Sequence, residues 1–156
     1  MDLADQPPDP CSLVTPDQVS TAMGTSASTP AGGSPTYLPG GQRYCIWKLD
    51  SGGIVTLMIV TRTSLEAATN AAHLDGQTLE GWYNAAPPGE SVGDEVGTRA
   101  VWSTELDALD GDVTFRLNYT NGEDGMKRQH LIDLGKQVVE GLVAVGAVKP
   151  TTTTAP

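Results

Sequence analysis

Residues 89–93 read Gly89-Glu90-Ser91-Val92-Gly93, the Gly-x-Ser-x-Gly spacing that sets a nucleophilic serine on a tight turn in α/β hydrolases. Asp94 and His130 follow in the order serine, acid, histidine. The flanks do not suit that chemistry. A nucleophile elbow needs a strand before it and a helix after it, whereas Pro87-Pro88 precedes this one and Asp94 to Gly97 reads as a turn. No catalytic residue is therefore assigned. The only histidines, His73 and His130, are far apart in sequence, and with the cysteines paired no structural zinc site can be built from them. Asp107, Asp110 and Asp112 do not follow the EF-hand spacing, and Asp and Gly suit a tight turn for backbone reasons. Glycoside hydrolysis needs two particular carboxylates, and nothing singles out a pair among the nineteen acids. No metal and no cofactor is expected.

The two cysteines carry the remaining chemistry. Cys11 lies in Asp9-Pro10-Cys11-Ser12-Leu13-Val14-Thr15-Pro16, and Cys45 in the alternating run around Cys45-Ile46-Trp47. Their simplest reading is one disulfide that staples a first helix to a first strand, which puts the chain outside the reducing cytosol. Closing that loop contributes roughly 3–4 kcal/mol in the chain-entropy account. The loop includes Thr25 to Gln42, a stretch rich in Ser, Thr, Gly and Pro with little apolar content of its own. Trp47 alternates with Cys45 and reads as core. Trp82-Tyr83, in the irregular segment before Pro87-Pro88, and Met126 are candidate contacts for a ligand or partner. The competing reading has the aromatic pair sealing one end of the core.

The 156 residues suffice for one domain with a real core. A net charge of −10 repels phosphate backbones and anionic headgroups, which argues against nucleic acid and lipid surfaces as partners. The longest apolar run, Ile54 to Val60, is strand-sized, too short to span a bilayer. Met1-Asp2-Leu3-Ala4-Asp5 lacks the basic and apolar regions of a signal peptide; a chain cut after its signal, with an added Met, reads this way.

The elements that must position these residues follow from caps and periodicity. Thr15, Pro16 and Gln18 form a capping box with proline at the first helical position, Val14 and Val19 stand as a hydrophobic staple, and Gly24 ends the helix. Tyr44 to Leu49 alternates, Asp50-Ser51-Gly52-Gly53 turns, and Ile54 to Arg62 is apolar on both faces, as suits an inner strand. Thr63-Ser64-Leu65-Glu66 predicts the cap of a helix running to about Leu74. Residues 75–97 are irregular. Strands are expected over Thr98 to Thr104 and Val113 to Tyr119, with a turn at Leu109-Asp110-Gly111-Asp112. The last helix, about Lys127 to Val145, carries Leu131, Leu134, Val138, Leu142 and Val145 on one stripe, with Gly135 and Gly141 allowing close approach to the sheet. The order is α-β-β-α-β-β-α: an α+β fold with an antiparallel sheet of four or more strands covered by helices. Residues 1–10 read as a flexible tether, 11–148 as the domain, and 149–156 as a Thr/Pro tail.

Residues 9–19, Asp-Pro-Cys-Ser-Leu-Val-Thr-Pro-Asp-Gln-Val, with Ala22-Met23-Gly24, resemble the opening of a family of small exported actinobacterial lipoproteins of uncharacterised function. Its members typically read Cys-Ser-Leu-Leu-Thr, then a helix ending in Gly and a Cys-x-Trp or Cys-x-Tyr strand. Val92-Gly93-Asp94-Glu95-Val96 resembles a later family turn, with Val96 where Ala is usual. The resemblance covers about residues 9–145. It implies an envelope location, a lipid anchor in the precursor and a Cys11–Cys45 disulfide; by analogy it suggests a PsbP-like sandwich. Cys11 is not the lipidated cysteine, because Pro7-Pro8-Asp9-Pro10 precedes it rather than a short apolar stretch.

The expected function is a non-catalytic binding or accessory module of the cell envelope. Its partner would be an envelope protein or an apolar small molecule, with membrane contact only through an anchor outside this sequence. One alternative is a small-molecule or lipid carrier or sensor, with an apolar pocket bordered by Trp82, Tyr83 and Met126. Another is a small enzyme with an unrecognised site.

Overall fold

The computed structural model describes residues 7–28, 36–37, 42–50, 52–66, 78–85, 88–120 and 127–148. Along them run α1 (Pro10–Leu13), α2 (Pro16–Met23), β1 (Thr36–Tyr37), β2 (Arg43–Lys48), β3 (Ile54–Thr61) and α3, described over 62–66. There follow α4 (Leu79–Asn84), β4 (Glu90–Ser91), α5 (Gly93–Val96), β5 (Arg99–Trp102), β6 (Leu106–Asp110), β7 (Val113–Thr120) and α6 (Lys127–Ala144). The described strands form one antiparallel sheet in the order β1-β2-β3-β7-β6-β5-β4. The fold is α+β. No described helix is long and apolar enough to cross a membrane.

The capping box of α2 forms as its residues require. Thr15 Oγ1 accepts from the Gln18 amide at 3.1 Å, Gln18 Oε1 accepts from the Thr15 amide at 2.8 Å, and Gly24 closes the helix at φ 71°. A short helix precedes it. Asp9 caps α1 by accepting from the Cys11 amide at 2.8 Å, and Pro10 is the first helical residue. Pro7 and Pro10 are buried, and Arg43 Nη1 donates to the Pro7 carbonyl at 2.7 Å. The packed body thus takes in residues 7–10, which the sequence assigns to the tether. Residues 1–6 and 149–156 lie outside the described residues.

Cys11 and Cys45 are bonded, with Cα atoms 5.2 Å apart. The helix so stapled is α1 rather than α2, and the strand is β2, which follows the two-residue β1. Trp47, two residues on from Cys45 and on the same face, is fully buried.

The next helix starts earlier than its sequence suggests. The Ser64 amide donates to Thr61 Oγ1 and the Thr61 amide donates to Ser64 Oγ, both at 3.0 Å. Thr61 is therefore the cap, two residues before Thr63, because Ser64 reciprocates its bond as Glu66 would have reciprocated that of Thr63.

Alternation divides the sheet cleanly. Cys45, Trp47, Val55, Leu57, Ile59, Val113, Phe115, Leu117 and Tyr119 join α1, α2, α5 and α6 in the main core. Val60 and Leu109 point the other way, onto Leu65 of α3 and Leu79 of α4. Arg62 binds that second layer together, bonding Glu80 at 2.5 Å and Asp112 at 2.8 Å.

In α6, Leu131, Leu134, Val138 and Leu142 are buried, but Val145 falls just past the helix end and is 53% exposed, so it does not belong to the stripe. A Cβ on Gly135 would lie 2.7 Å from a Leu106 methyl, and one on Gly141 would lie 2.3 Å from the Leu13 carbonyl oxygen. Gly135 lets α6 approach the sheet, and Gly141 lets it approach α1.

Candidate functional site

Residues 78–85 and 88–102 build a cleft at the β4 end of the sheet. Thr78 caps α4 by accepting from the Gly81 amide at 3.0 Å. The last turn of α4 brings Tyr83 and Asn84 to the cleft, the β4 arm brings Pro88 and Ser91, and β5 brings Arg99 and Val101. The cavity volume is about 500 Å³. The aromatic pair that the sequence places on an irregular loop therefore sits on a helix. Tyr83 is 4% exposed and carries the Arg99 guanidinium 5.0 Å from its ring centroid. Burial raises the Tyr83 hydroxyl above its usual range, against the opposing pull of Arg99. Met126 and the Trp82 side chain lie outside the described structure, so the cleft is defined here by Tyr83 alone of the three expected contacts.

The Gly-x-Ser-x-Gly motif belongs to this cleft and has a packing explanation. A Cβ on Gly89 would sit 2.0 Å from the Trp102 carbonyl oxygen, and one on Gly93 would sit 3.0 Å from that of Thr98. Both glycines let the β4 arm lie close on β5. Ser91 does have a short strand before it and a four-residue helix after it, contrary to the sequence expectation. Alternation separates it from its would-be partner. Glu90 turns to the α6 side, where Arg128 holds it at 2.6 Å and also reaches Glu95 at 2.9 Å. Ser91 faces the opposite side, beside Val101. His130 lies on α6 against Gly24, with Nε2 3.8 Å from where a Cβ there would stand. Serine and histidine are thus on opposite faces of the sheet.

Next to the cleft, on the face that Arg99 and Val101 share, lies a buried acid pair. Asp107 stands opposite Val101 in one direction and Arg116 in the other. It is 1% exposed, and Oδ1 accepts from Arg116 Nε at 2.7 Å. Glu105 contacts the same Nε. Burial first, and then the hydrogen bond and charge of Asp107, push the Glu105 carboxyl up to about 7, against the opposing charge of Arg116. The three aspartates of the 107–112 run do not converge. Asp107 is taken by Arg116 and Asp112 by Arg62; Asp110 is raised by burial, partly offset by Thr98. Among the described residues no three or more His, Cys, Asp or Glu gather as metal ligands, and His73 lies outside those residues.

Sequence reasoning missed Arg99, Asn84 and the Glu105–Asp107–Arg116 cluster. The signal for Arg99 was its alternation with Ala100. The acid cluster depends on pairing β6 with β7, which no local pattern reveals. Comparisons with family models, with curated proteins and with solved structures found no match to this chain.

Proposed function

We propose that this chain is an extracytoplasmic domain acting as a non-catalytic binding or accessory module of a cell envelope. The observation that carries the reading is the Cys11–Cys45 bond, which ties α1 to a strand of the main core. Disulfides of this structural kind persist in oxidising compartments and are rare in the cytosol. The opening motif, which resembles that of exported lipoproteins, supports the same location. The cleft around Tyr83 and Arg99 supports the binding role, because it joins a half-apolar wall to polar groups near a sheet edge.

The test is photo-cross-linking in intact native cells, with the reactive side chain at the exposed Asn84. The reading predicts a discrete adduct recovered with the envelope or external fraction. Recovery of the chain from the cytosol without an adduct would refute it.

A further inference from the structure

We propose that the cleft between α4 and the β4–β5 edge is a carboxylate-binding site whose anchor is Arg99, and that it takes a carboxylate borne on a small apolar body, such as the C-terminus of a peptide. This deepens the binding-module reading and rests on it.

The case begins with how the arginines are used. The chain has nineteen acidic residues and five arginines. Arg62 binds Glu80 and Asp112, Arg116 binds Glu105 and Asp107, and Arg128 binds Glu90 and Glu95. Arg43 donates to the Pro7 carbonyl. Among the described residues Arg99 has neither a carboxylate nor a carbonyl partner; its contacts are the ring of Tyr83 and a hydrogen bond with the Tyr83 hydroxyl. The ring contact and the hydrogen bond to Tyr83 hold the guanidinium at the cleft, and its remaining N–H groups can meet a ligand. In so acidic a chain, an arginine held this way, with no carboxylate partner among the described residues, is a preformed site for an anion.

The surroundings narrow the anion. Ser91 and Asn84 add a hydroxyl and an amide to the lining, and Pro88 and Val101 add apolar surface. No acidic residue is among the described residues that line the cleft; Asp94 borders a separate depression on the other side of Arg99. Asp107, the acid opposite Val101, is already engaged by Arg116 at 2.7 Å and does not neutralise Arg99. A carboxylate matches the planar fork of one guanidinium and brings a single charge. A dianionic phosphate would need further cations; no lysine is among the described residues that line the cleft, and the chain's net charge is −10. The apolar residues beside the fork accommodate the body that bears the carboxylate.

The experiment is an NMR titration of the ¹⁵N-labelled protein, disulfide intact, with N-acetyl-phenylalanine and, in parallel, with its amide. The acid is expected to give saturable shifts at the backbone amides of Ser91, Ala100 and Val101 and at Arg99 Nε, and the amide none. Arg99→Gln should weaken the acid by about tenfold or more, since it removes a charge-assisted, two-point bond. Ser91→Ala, at an exposed position, should weaken it by about threefold through the loss of one neutral donor. Lys48→Gln removes the same charge from an exposed site on another strand and should leave binding unchanged. Equal responses to acid and amide, unchanged binding in Arg99→Gln, or no saturable shift would each overturn the site. Those failures would leave the disulfide and the extracytoplasmic reading standing, since that reading fails only through the thiol state and location of the native protein.

Discussion

Replacing Glu105 by Gln should make the protein more stable at neutral pH. The Glu105 carboxyl titrates near 7 in the fold and near 4.5 without it, because burial and the adjacent Asp107 disfavour its charge. Between those values the folded chain keeps a proton that the unfolded chain has released. Unfolding there releases a proton, so raising the pH favours the unfolded state and stability falls through the window. A separation of this size corresponds, unscreened, to about 3 kcal/mol. Glu105 keeps 15% of its side-chain surface in solvent, and screening reduces the expected loss to about 1.5–2 kcal/mol between pH 5 and pH 8. Below that window the sign reverses. Arg62 holds Glu80 down at about 2, so its stabilising contribution disappears as the medium becomes acid. Stability should therefore peak near pH 5. Urea unfolding followed by tryptophan fluorescence reads this directly, because Trp47 is fully buried. Glu105→Gln should remove most of the decline from pH 5 to pH 8 while keeping the Asp107–Arg116 bond. A wild-type midpoint that does not fall over that range, or a variant that falls as steeply, would refute the account of the acid pair.

Replacing both cysteines by alanine reopens a loop with a sequence separation of 34 and should lower stability by about 3–4 kcal/mol in urea unfolding. Gly141→Ala should destabilise by about 2 kcal/mol despite the better helix propensity of alanine, since its Cβ meets the Leu13 carbonyl at 2.3 Å. Gly135→Ala should cost less, because the atom in its way is a Leu106 methyl that can rotate; equal losses for the two glycine variants would contradict the packing described for α6.

What the sequence made legible was whatever local chemistry decides. The Thr15–Gln18 cap, the Gly24 stop, the β2–β3 hairpin and the buried face of α6 all follow from residues a few positions apart. β6 was hidden because Leu106-Asp107-Ala108-Leu109-Asp110 looks like the approach to a turn. It is a strand because Asp107 meets Arg116 across the ladder and Leu106 and Ala108 fill the core, both non-local facts. The same gap concealed the acid pair. Thr63 was misread as a cap because Thr61, at the end of a strand, offers an equivalent hydroxyl that Ser64 can answer. Val145 looked like part of the apolar stripe, and the helix ends one residue before it. In the cleft, Tyr83 was visible as an aromatic near a proline break, while its partner Arg99 required knowing that α4 folds over β5.

The central claim, an extracytoplasmic disulfide-stapled binding module, is tested most directly in the native cell. Cells are quenched in acid, the protein is denatured with an alkylating reagent without reduction, and its intact mass is measured from each cell fraction. The account predicts no added label, a mass two hydrogens below the reduced chain, and recovery from the envelope or the medium. Two alkylated cysteines on protein recovered from the cytosol would contradict it.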